Sequence, residues 1–151
     1  MITPSTFSIV AHDPAENAWG IAVASKFPAV GAVVPWAQAE VGAVATQSYA
    51  NTSFGPRGLE LMSQGHDAED ALERLLGEDE GREKRQVGVV DARGNPATFT
   101  GAECHSWAGG KTADHVAVQG NILTGPEVVD ALLETYLDTE ADLPTRLHRA
   151  L

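Results

Sequence analysis

The sequence predicts an α+β fold in which largely antiparallel sheets lie between helical layers. Short apolar runs alternate with turn-rich segments of the length that joins β-hairpins. These runs carry few charges and little polar alternation, as in strands that are covered on both faces. The segments with helical spacing come in pairs after groups of strands, which is the order expected when helices cover the sheets.

The first four elements are strand candidates. Residues 7–11 and 19–25 are apolar, and turn-forming Asp, Pro and Asn residues lie between them, so this pair is predicted to form a β-hairpin. Residues 29–36 and 41–47 are the next two candidates. All four are rich in Ala, Gly and Val, and we expect both faces of each strand to be buried.

Two helices follow these strands. The first is predicted over residues 55–64, where Pro stands in the first turn and Gly65 ends the helix. Asp67 is predicted to cap the second helix, which reaches about residue 76. The charged residues 77–84 are interpreted as a solvated connection.

Strands and helices alternate again in the rest of the chain. A second hairpin is predicted from strands at 86–91 and 96–100, and Gly120-Asn121 is interpreted as a turn after a strand at 115–119. Helices are predicted over residues 125–137 and from about Pro144 onward.

Composition indicates one globular domain over residues 1–151, with 43% hydrophobic residues. The net charge of −11 disfavours binding to nucleic acid and to anionic membranes. Cys104 is the single cysteine, so no internal disulfide can form. Because the chain shows neither a basic-apolar leader nor an apolar run of about 18 residues, the predicted location is the cytoplasm.

Metal and cofactor motifs are missing from the sequence. The five histidines are scattered and show no zinc-site spacing. There is no glycine-rich dinucleotide motif after a strand and no phosphate-loop lysine motif. We therefore expect no metal and no cofactor.

Several strings along the chain carry a resemblance to a known family. They lie at residues 6–11, 20–26, 29–37, 42–47, 54–59, 85–91, 107–109 and 118–128. Together they resemble a bacterial and archaeal family known as domain of unknown function 1028, of the N-terminal-nucleophile (Ntn) hydrolase superfamily. The resemblance covers nearly the whole chain and implies a four-layer αββα sandwich of two stacked antiparallel sheets. Members usually continue beyond the last helix with a Gly-rich segment and a closing strand, which this chain is expected to lack.

The resemblance implies that Thr6 is the catalytic nucleophile. In an Ntn hydrolase the first residue attacks the amide carbonyl with its hydroxyl, and its own α-amine accepts the proton. An α-amine is suited to this because its pKa is about 7.7–8.0. Activity would then require removal of Met1 to Ser5 by self-cleavage, by a protease or through a different translation start. The alternative is that Thr6 is simply a β-branched strand residue.

Three further residues are catalytic candidates by the same resemblance. Lys26 would favour the neutral form of the terminal amine, because like charges repel; alternatively it is an exposed lysine at the end of a strand. Gly42 and Ala43 would donate backbone N–H groups to an oxyanion, or they form a plain turn into a strand.

Six polar residues are candidates for substrate binding. Hydroxyls and amides can orient a substrate or satisfy nearby backbone groups, and an arginine can grip a carboxylate or form a structural salt bridge. The candidates are Ser8, Ser25, Asn51, Arg57, Gln119 and Asn121.

The function expected from these residues is hydrolysis of a small amide, ureido or peptide-like substrate. One alternative is a non-catalytic ligand-binding or assembly module on an Ntn-like scaffold. Another is a structural subunit that associates through exposed sheet edges and through Trp19, Trp36 and Trp107. A homo-oligomer is expected because an exposed sheet edge invites pairing.

Overall fold

A computed structural model describes residues 5–151 of the chain. The strands are β1 (Thr6–Asp13), β2 (Ala18–Ser25), β3 (Pro35–Gln38), β4 (Gly42–Ser48), β5 (Arg85–Asp91), β6 (Pro96–Thr100), β7 (Gly109–Ala113) and β8 (Val116–Asn121). The helices are α1 (Phe54–Ser63), α2 (Ala68–Gly77), α3 (Glu127–Asp138) and α4 (Leu143–Ala150), with short 3-10 turns at 30–32 and 82–84. The predicted removal of Met1 to Ser5 concerns mostly residues 1–4, which lie outside the described residues.

The strands form two four-stranded sheets. The first sheet has the order β2-β1-β8-β7 and the second the order β3-β4-β5-β6. Every neighbouring pair is antiparallel, as predicted, and the hairpin β1–β2 pairs Thr6 with Ser25 and Asp13 with Ala18. Residues 5–151 therefore form an α+β fold with two antiparallel sheets and four helices.

Alternate residues of the central strands enter different cores. Ile9 packs with helices α3 and α4, whereas Val10 packs with residues of the second sheet. Likewise Val44 packs with α1 and α2, and its neighbours Ala43 and Ala45 face the first sheet. Because side chains of a strand point to opposite faces in turn, these strands are apolar on both faces, which explains their unbroken apolar sequence.

Two of the predicted strands are less buried than expected because they lie at sheet edges. Every residue of β2 is half-buried, and no residue of β3 is fully buried, because both strands lie at sheet edges. The prediction of a single strand over 29–36 is wrong. Ala29 adopts a left-handed conformation (φ 56°) and residues 30–32 form a 3-10 turn, which carries Val34 into the core between the sheets.

The predicted turn at Gly120-Asn121 is also wrong. Both residues belong to β8, where Gly120 pairs with Phe7 and Asn121 with Thr6. Pairing with the beginning of β1 extends the strand, and the chain turns only at Ile122, which is left-handed with φ 57°. Strand β7 at 109–113 was not predicted, because its Gly-rich sequence has no apolar run.

Helix boundaries agree closely with the sequence signals. The Asp67 carboxylate accepts a hydrogen bond from Asp70 N at 2.9 Å and so caps α2. Gly65 follows α1 with φ 97°, a conformation that glycine adopts without strain. The connection at 77–84 is only partly solvated, because Asp79 forms a largely buried ion pair with Arg85, 2.8 Å from Oδ2 to Nε. No helix within residues 5–151 is long and apolar enough to cross a membrane.

A histidine pair lies at the end of the first sheet. The His12 ring stacks on Trp19 with centroids 4.4 Å apart, and its Nδ1 lies 3.2 Å from Nδ1 of His115. His12 is 6% exposed, and its Nε2 has no hydrogen-bond partner among the described residues. Burial, and then the positive charge of His115, lower the pKa of His12 below 6.5, against the opposing effect of Asp13 and Asp91.

We expect the stability of the protein to fall on mild acidification because of His12. Because the pKa of His12 is lowered in the folded state, the unfolded chain binds the proton first as the pH falls. The contribution of His12 to the free energy of unfolding is therefore complete above pH 6.5 and is lost as the pH falls below it. The urea midpoint should therefore decrease between pH 7.5 and 5.5. In His12→Phe, which keeps an aromatic ring beside Trp19, the decrease should be smaller. The exposed His148→Phe is the matched control, and equal pH dependence in all three proteins would contradict the prediction.

Candidate functional site

A cleft of about 380 Å³ lies where β1 begins and β4 and β8 end. We call it the Thr6 cleft. Its lining comes from β1 (Thr6), from the segment after β2 (Phe27, Val30, Val33, Val34), from the end of β4 and the residues after it (Gln47, Ser48, Tyr49, Ala50), from the loop before β7 (His105), and from the end of β8 (Asn121, Ile122). This volume lies within the range of small-molecule sites, roughly 300–1,000 Å³.

Strand alternation explains why polar residues meet beside this cleft. Val10 and Ala117 face the second sheet from the first, so residues two and four positions nearer the cleft face the same way. These positions hold Ser8 and Thr6 on β1, and Gln119 and Asn121 on β8. The space between the sheets is therefore apolar in the middle and polar at the cleft end.

Three of these side chains and two glutamines of the second sheet form a continuous hydrogen-bond network between the two sheets. Ser8 Oγ donates to Gln47 Oε1 at 2.7 Å and accepts from Gln119 Nε2 at 2.6 Å. Gln86 Oε1 accepts from Gln47 Nε2 at 2.8 Å and from Asn121 Nδ2 at 2.9 Å. We call Ser8, Gln47, Gln86, Gln119 and Asn121 the inter-sheet network. It holds one sheet against the other directly behind Thr6.

Thr6 is largely buried, with 7% of its surface exposed, and among the described residues its hydroxyl has one hydrogen-bond partner. Its Oγ1 lies 2.8 Å from Ser25 Oγ, which also accepts a hydrogen bond from Phe27 N at 3.0 Å. Within residues 5–151, no imidazole, amine or carboxylate forms a hydrogen bond with Thr6 Oγ1. The hydroxyl is thus held in position, but no side chain of the described residues is placed to take its proton.

Aromatic residues flank the mouth of the cleft. Tyr49 and Phe27 are 53% and 49% exposed, and Tyr49 OH lies 3.2 Å from His105 Nε2. The backbone at Tyr49 is fixed from behind, because its carbonyl accepts from Arg85 Nη1 at 2.6 Å. Hydrogen bonds from Arg85 lower the pKa of Asp79 to about 2, so this supporting ion pair stays charged at neutral pH.

Three residues around the cleft have left-handed backbone conformations without being glycine. Ser48 and Ile122 line the cleft with φ of 66° and 57°, and Ala29 precedes the lining residue Val30 with φ 56°. Such conformations are uncommon, above all for a β-branched residue, and they concentrate at functional sites. The other left-handed residues that are not glycine, at 17, 40 and 115, lie in hairpin turns.

The family assignment follows from residues 6–151. They match the profile described as "Family of unknown function (DUF1028)". The chain belongs to the DUF1028 family. Its match to that family begins at Thr6, the residue that opens β1 and lines the cleft.

A solved structure shows the same fold. The crystal structure of protein SPO2555 from Silicibacter pomeroyi, also of the DUF1028 family, is 33% identical in sequence to this chain and has a TM-score of 0.93. The match covers 97% of this DUF1028 chain and 68% of the SPO2555 chain. No functionally curated protein matches the chain significantly.

The DUF1028 fold brings some of the predicted site residues together. Thr6 and Asn121 line the cleft, and Ser25 contacts the Thr6 hydroxyl. Ser8 and Gln119 lie behind the cleft, fully buried in the inter-sheet network, so a substrate in the cleft has no direct path to them.

Other predicted residues lie elsewhere in this DUF1028 structure. Lys26 is exposed and does not line the cleft. Asn51 donates to Asp79 at 3.1 Å and accepts from Ser53 Oγ at 2.7 Å, so its side chain fixes a loop. Arg57 forms an exposed ion pair with Glu78, which is the structural role that the sequence left open.

Gly42 and Ala43 lie at the opposite end of β4 from the cleft. With a rise of about 3.4 Å per residue, Gly42 is about 17 Å along the strand from Gln47. Gly42 has φ 145°, and a Cβ there would lie 2.5 Å from Val90 O, so the backbone and packing require glycine. The structure therefore supports the alternative, a turn into a strand, and does not bring these N–H groups to Thr6.

Several site residues were not singled out from the sequence. Gln47 and Gln86 lie near the ends of their strands, beside the polar residues Thr46, Ser48 and Arg85, so no contrast in the sequence marks them. Phe27, Tyr49 and His105 lie in loops, where no periodic pattern predicts their position. Within residues 5–151, no group of three or more His, Cys, Asp or Glu side chains is arranged to hold a metal ion.

Proposed function

We propose that this DUF1028 protein is an Ntn-type amidohydrolase in which Thr6 is the nucleophile once it is the first residue. In this proposal the two sheets and four helices form the four-layer αββα sandwich of that superfamily. Support comes from the three cores: α3 and α4 pack on the first sheet, α1 and α2 on the second, and a third cluster lies between the sheets.

The observation that carries the proposal is the environment of the Thr6 hydroxyl. It lines a cleft of small-molecule size and is positioned by Ser25, yet among residues 5–151 no side-chain base forms a hydrogen bond with it. A hydroxyl needs a base to become a nucleophile. An α-amine on Thr6 itself would supply that base, and the beginning of the family match at Thr6 agrees with this role.

The reaction would proceed in two steps. Thr6 Oγ1 attacks the amide carbonyl carbon while the α-amine accepts the hydroxyl proton. The resulting ammonium gives this proton to the leaving nitrogen as the C–N bond breaks, which leaves the acyl group as an ester on Thr6. Water then attacks the ester, the α-amine accepts the water proton and returns it to Thr6 Oγ1, and the carboxylic acid is released.

A covalent probe tests the proposal. A β-lactone acylates an activated hydroxyl by ring opening, so the protein gains the full mass of the probe. We expect intact mass and peptide mapping to show one adduct on Thr6 in protein that begins at residue 6. The 151-residue chain, in which the Thr6 nitrogen is a peptide amide, should remain unlabelled. Failure of the first form to react, or equal labelling of the two forms, would overturn the proposed function.

A second candidate function is a non-catalytic ligand-binding module on the same scaffold. The partner of the Thr6 hydroxyl favours it, because the cleft is formed while, within residues 5–151, this hydroxyl is hydrogen-bonded to Ser25 and to no side-chain base. The covalent probe separates the two candidates. A ligand that occupies the cleft while both forms stay unlabelled would support the binding module.

A further inference from the structure

We propose that the Thr6 cleft selects uncharged amides with a small apolar or aromatic acyl group and rejects those with an ionised acyl group. This inference rests on the proposed function in taking Thr6 as the reacting residue. It adds the class of substrate, which follows from the side chains that surround the cleft.

Four of the residues that line the cleft are aliphatic and branched. Val30, Val33 and Val34 come from the 3-10 turn and the residues after it, and Ile122 lies at the end of β8. At the mouth, the half-exposed rings of Phe27 and Tyr49 add apolar surface that a ligand would remove from water. Apolar walls of this kind favour an aliphatic or aromatic group, because its burial removes apolar surface from water.

Among residues 5–151, the lining of this cleft contains no Asp, Glu, Lys or Arg. The chain has 21 Asp and Glu and 10 Lys and Arg, yet within residues 5–151 none of these side chains lines the cleft. Arg85, which supports the wall from behind, is compensated by Asp79 and by the Tyr49 carbonyl. In the reactive form, in which the Thr6 α-amine is neutral, an ionised acyl group would therefore lose water without gaining a counter-charge from the lining side chains, and burial of an unpaired charge is unfavourable.

The polar end of the cleft suits a neutral amide. The Gln47 side chain is fully engaged in the inter-sheet network, with its oxygen bound to Ser8 and its nitrogen to Gln86. Asn121 gives its Nδ2 to Gln86, and its Oδ1 forms no hydrogen bond with a described residue. An uncharged acceptor, Asn121 Oδ1, thus lies beside Thr6, where the amide group of a substrate has to be.

Three primary amides of similar size test the substrate class. Isovaleramide is neutral, succinamate is anionic and 4-aminobutanamide is cationic at pH 7.5, and each releases ammonia on hydrolysis. With protein that begins at Thr6, we expect kcat/KM for isovaleramide to exceed that for either charged amide by at least about 10-fold. An equal or higher kcat/KM for a charged amide would overturn the inference and leave the proposed function intact.

Two variants test whether the lining of the cleft determines the preference for an uncharged amide. Phe27→Lys puts an ammonium at the mouth, so the preference for isovaleramide over succinamate should fall by about 10-fold or more. Leu137→Lys introduces the same charge at an equally exposed apolar residue of α3 that does not line the cleft, and its preference should stay that of the unmodified protein. A Phe27→Lys protein with an unchanged preference would contradict the assignment of the cleft.

Binding to the 151-residue chain separates the inference from catalysis. The same three amides are titrated into this form, and binding is followed by NMR shifts of residues that line the cleft. Binding of isovaleramide alone would support the substrate class even if no amide is hydrolysed, in which case only the proposed function fails. Tighter binding of a charged amide, or binding of none of the three, would overturn the substrate class.

Discussion

Replacing Thr6 by alanine, in protein that begins at residue 6, is expected to lower kcat/KM for amide hydrolysis by at least about 1,000-fold. The change removes the attacking oxygen and leaves the α-amine and the strand in place. Thr6 contributes one hydroxyl hydrogen bond to the fold, to Ser25 Oγ. The measurement is ammonia release from isovaleramide, with the thermal midpoint recorded to show that the fold is intact.

Thr112→Ala is the matched control for this experiment. Thr112 is an exposed threonine in β7 that does not line the cleft, and its replacement should leave kcat/KM unchanged. The pH profile gives an independent readout. If the α-amine is the base, kcat/KM rises with pH through about 7.7–8.0, where the amine loses its proton. Hydrolysis at the unmodified rate by Thr6→Ala would exclude Thr6 as the nucleophile.

The largest expected effect on stability is that of Gln86→Leu. Gln86 is fully buried and binds Gln47, Asn121 and the carbonyl of Gly120, the last at 2.7 Å. Leucine fills similar space but leaves these groups without partners, at a cost of roughly 1–3 kcal/mol for each buried group. We expect the free energy of unfolding to fall by about 3 kcal/mol or more, measured by urea denaturation.

Gln38→Leu provides the comparison within the same sheet. Gln38 is exposed on the edge strand β3, and its side chain forms no hydrogen bond with a described residue. Its replacement should change the free energy of unfolding by less than about 0.5 kcal/mol. Equal stability of the two variants would mean that the inter-sheet network contributes little to the fold.

The network also links stability to the cleft. Asn121 belongs to both, and the backbone of Thr6 pairs with it across β1 and β8. A fully satisfied buried network fixes one relative position of its members, since any displacement leaves a polar group unpaired. Loss of Gln86 should therefore disturb the wall on which Thr6 depends.

Much of the fold could be predicted because its signals are local. Asp67 caps α2 through its own neighbours, and the hairpin β1–β2 follows from two apolar runs joined by a short turn. Errors arose where distant partners decide the conformation. Gly120-Asn121 has the composition of a turn, but pairing with the beginning of β1 makes it strand.

The candidate site likewise contains residues that the sequence predicted and residues that it did not. Thr6 was expected from a family resemblance, and it does line the cleft. Gln47 and Gln86 were not expected, because nothing near them in the chain indicates which polar partners they meet. Lys26 and Gly42 were expected near the site from loose positional similarity, and the structure leaves Lys26 exposed and Gly42 at the far end of β4.

Local patterns thus account for most of the strands, for the helices and for the apolar character of both faces of the central strands. The contact of Ser8 with Gln47, 39 residues away, follows only from the packing of one sheet against the other, and its contact with Gln119, 111 residues away, follows from the pairing of β1 with β8. Alternation assigns a side chain to one of two faces, but it does not say which face looks toward the other sheet. The face that packs against the other sheet is determined when the whole chain buries its apolar surface. The Thr6 cleft forms where the buried layer between the sheets becomes polar.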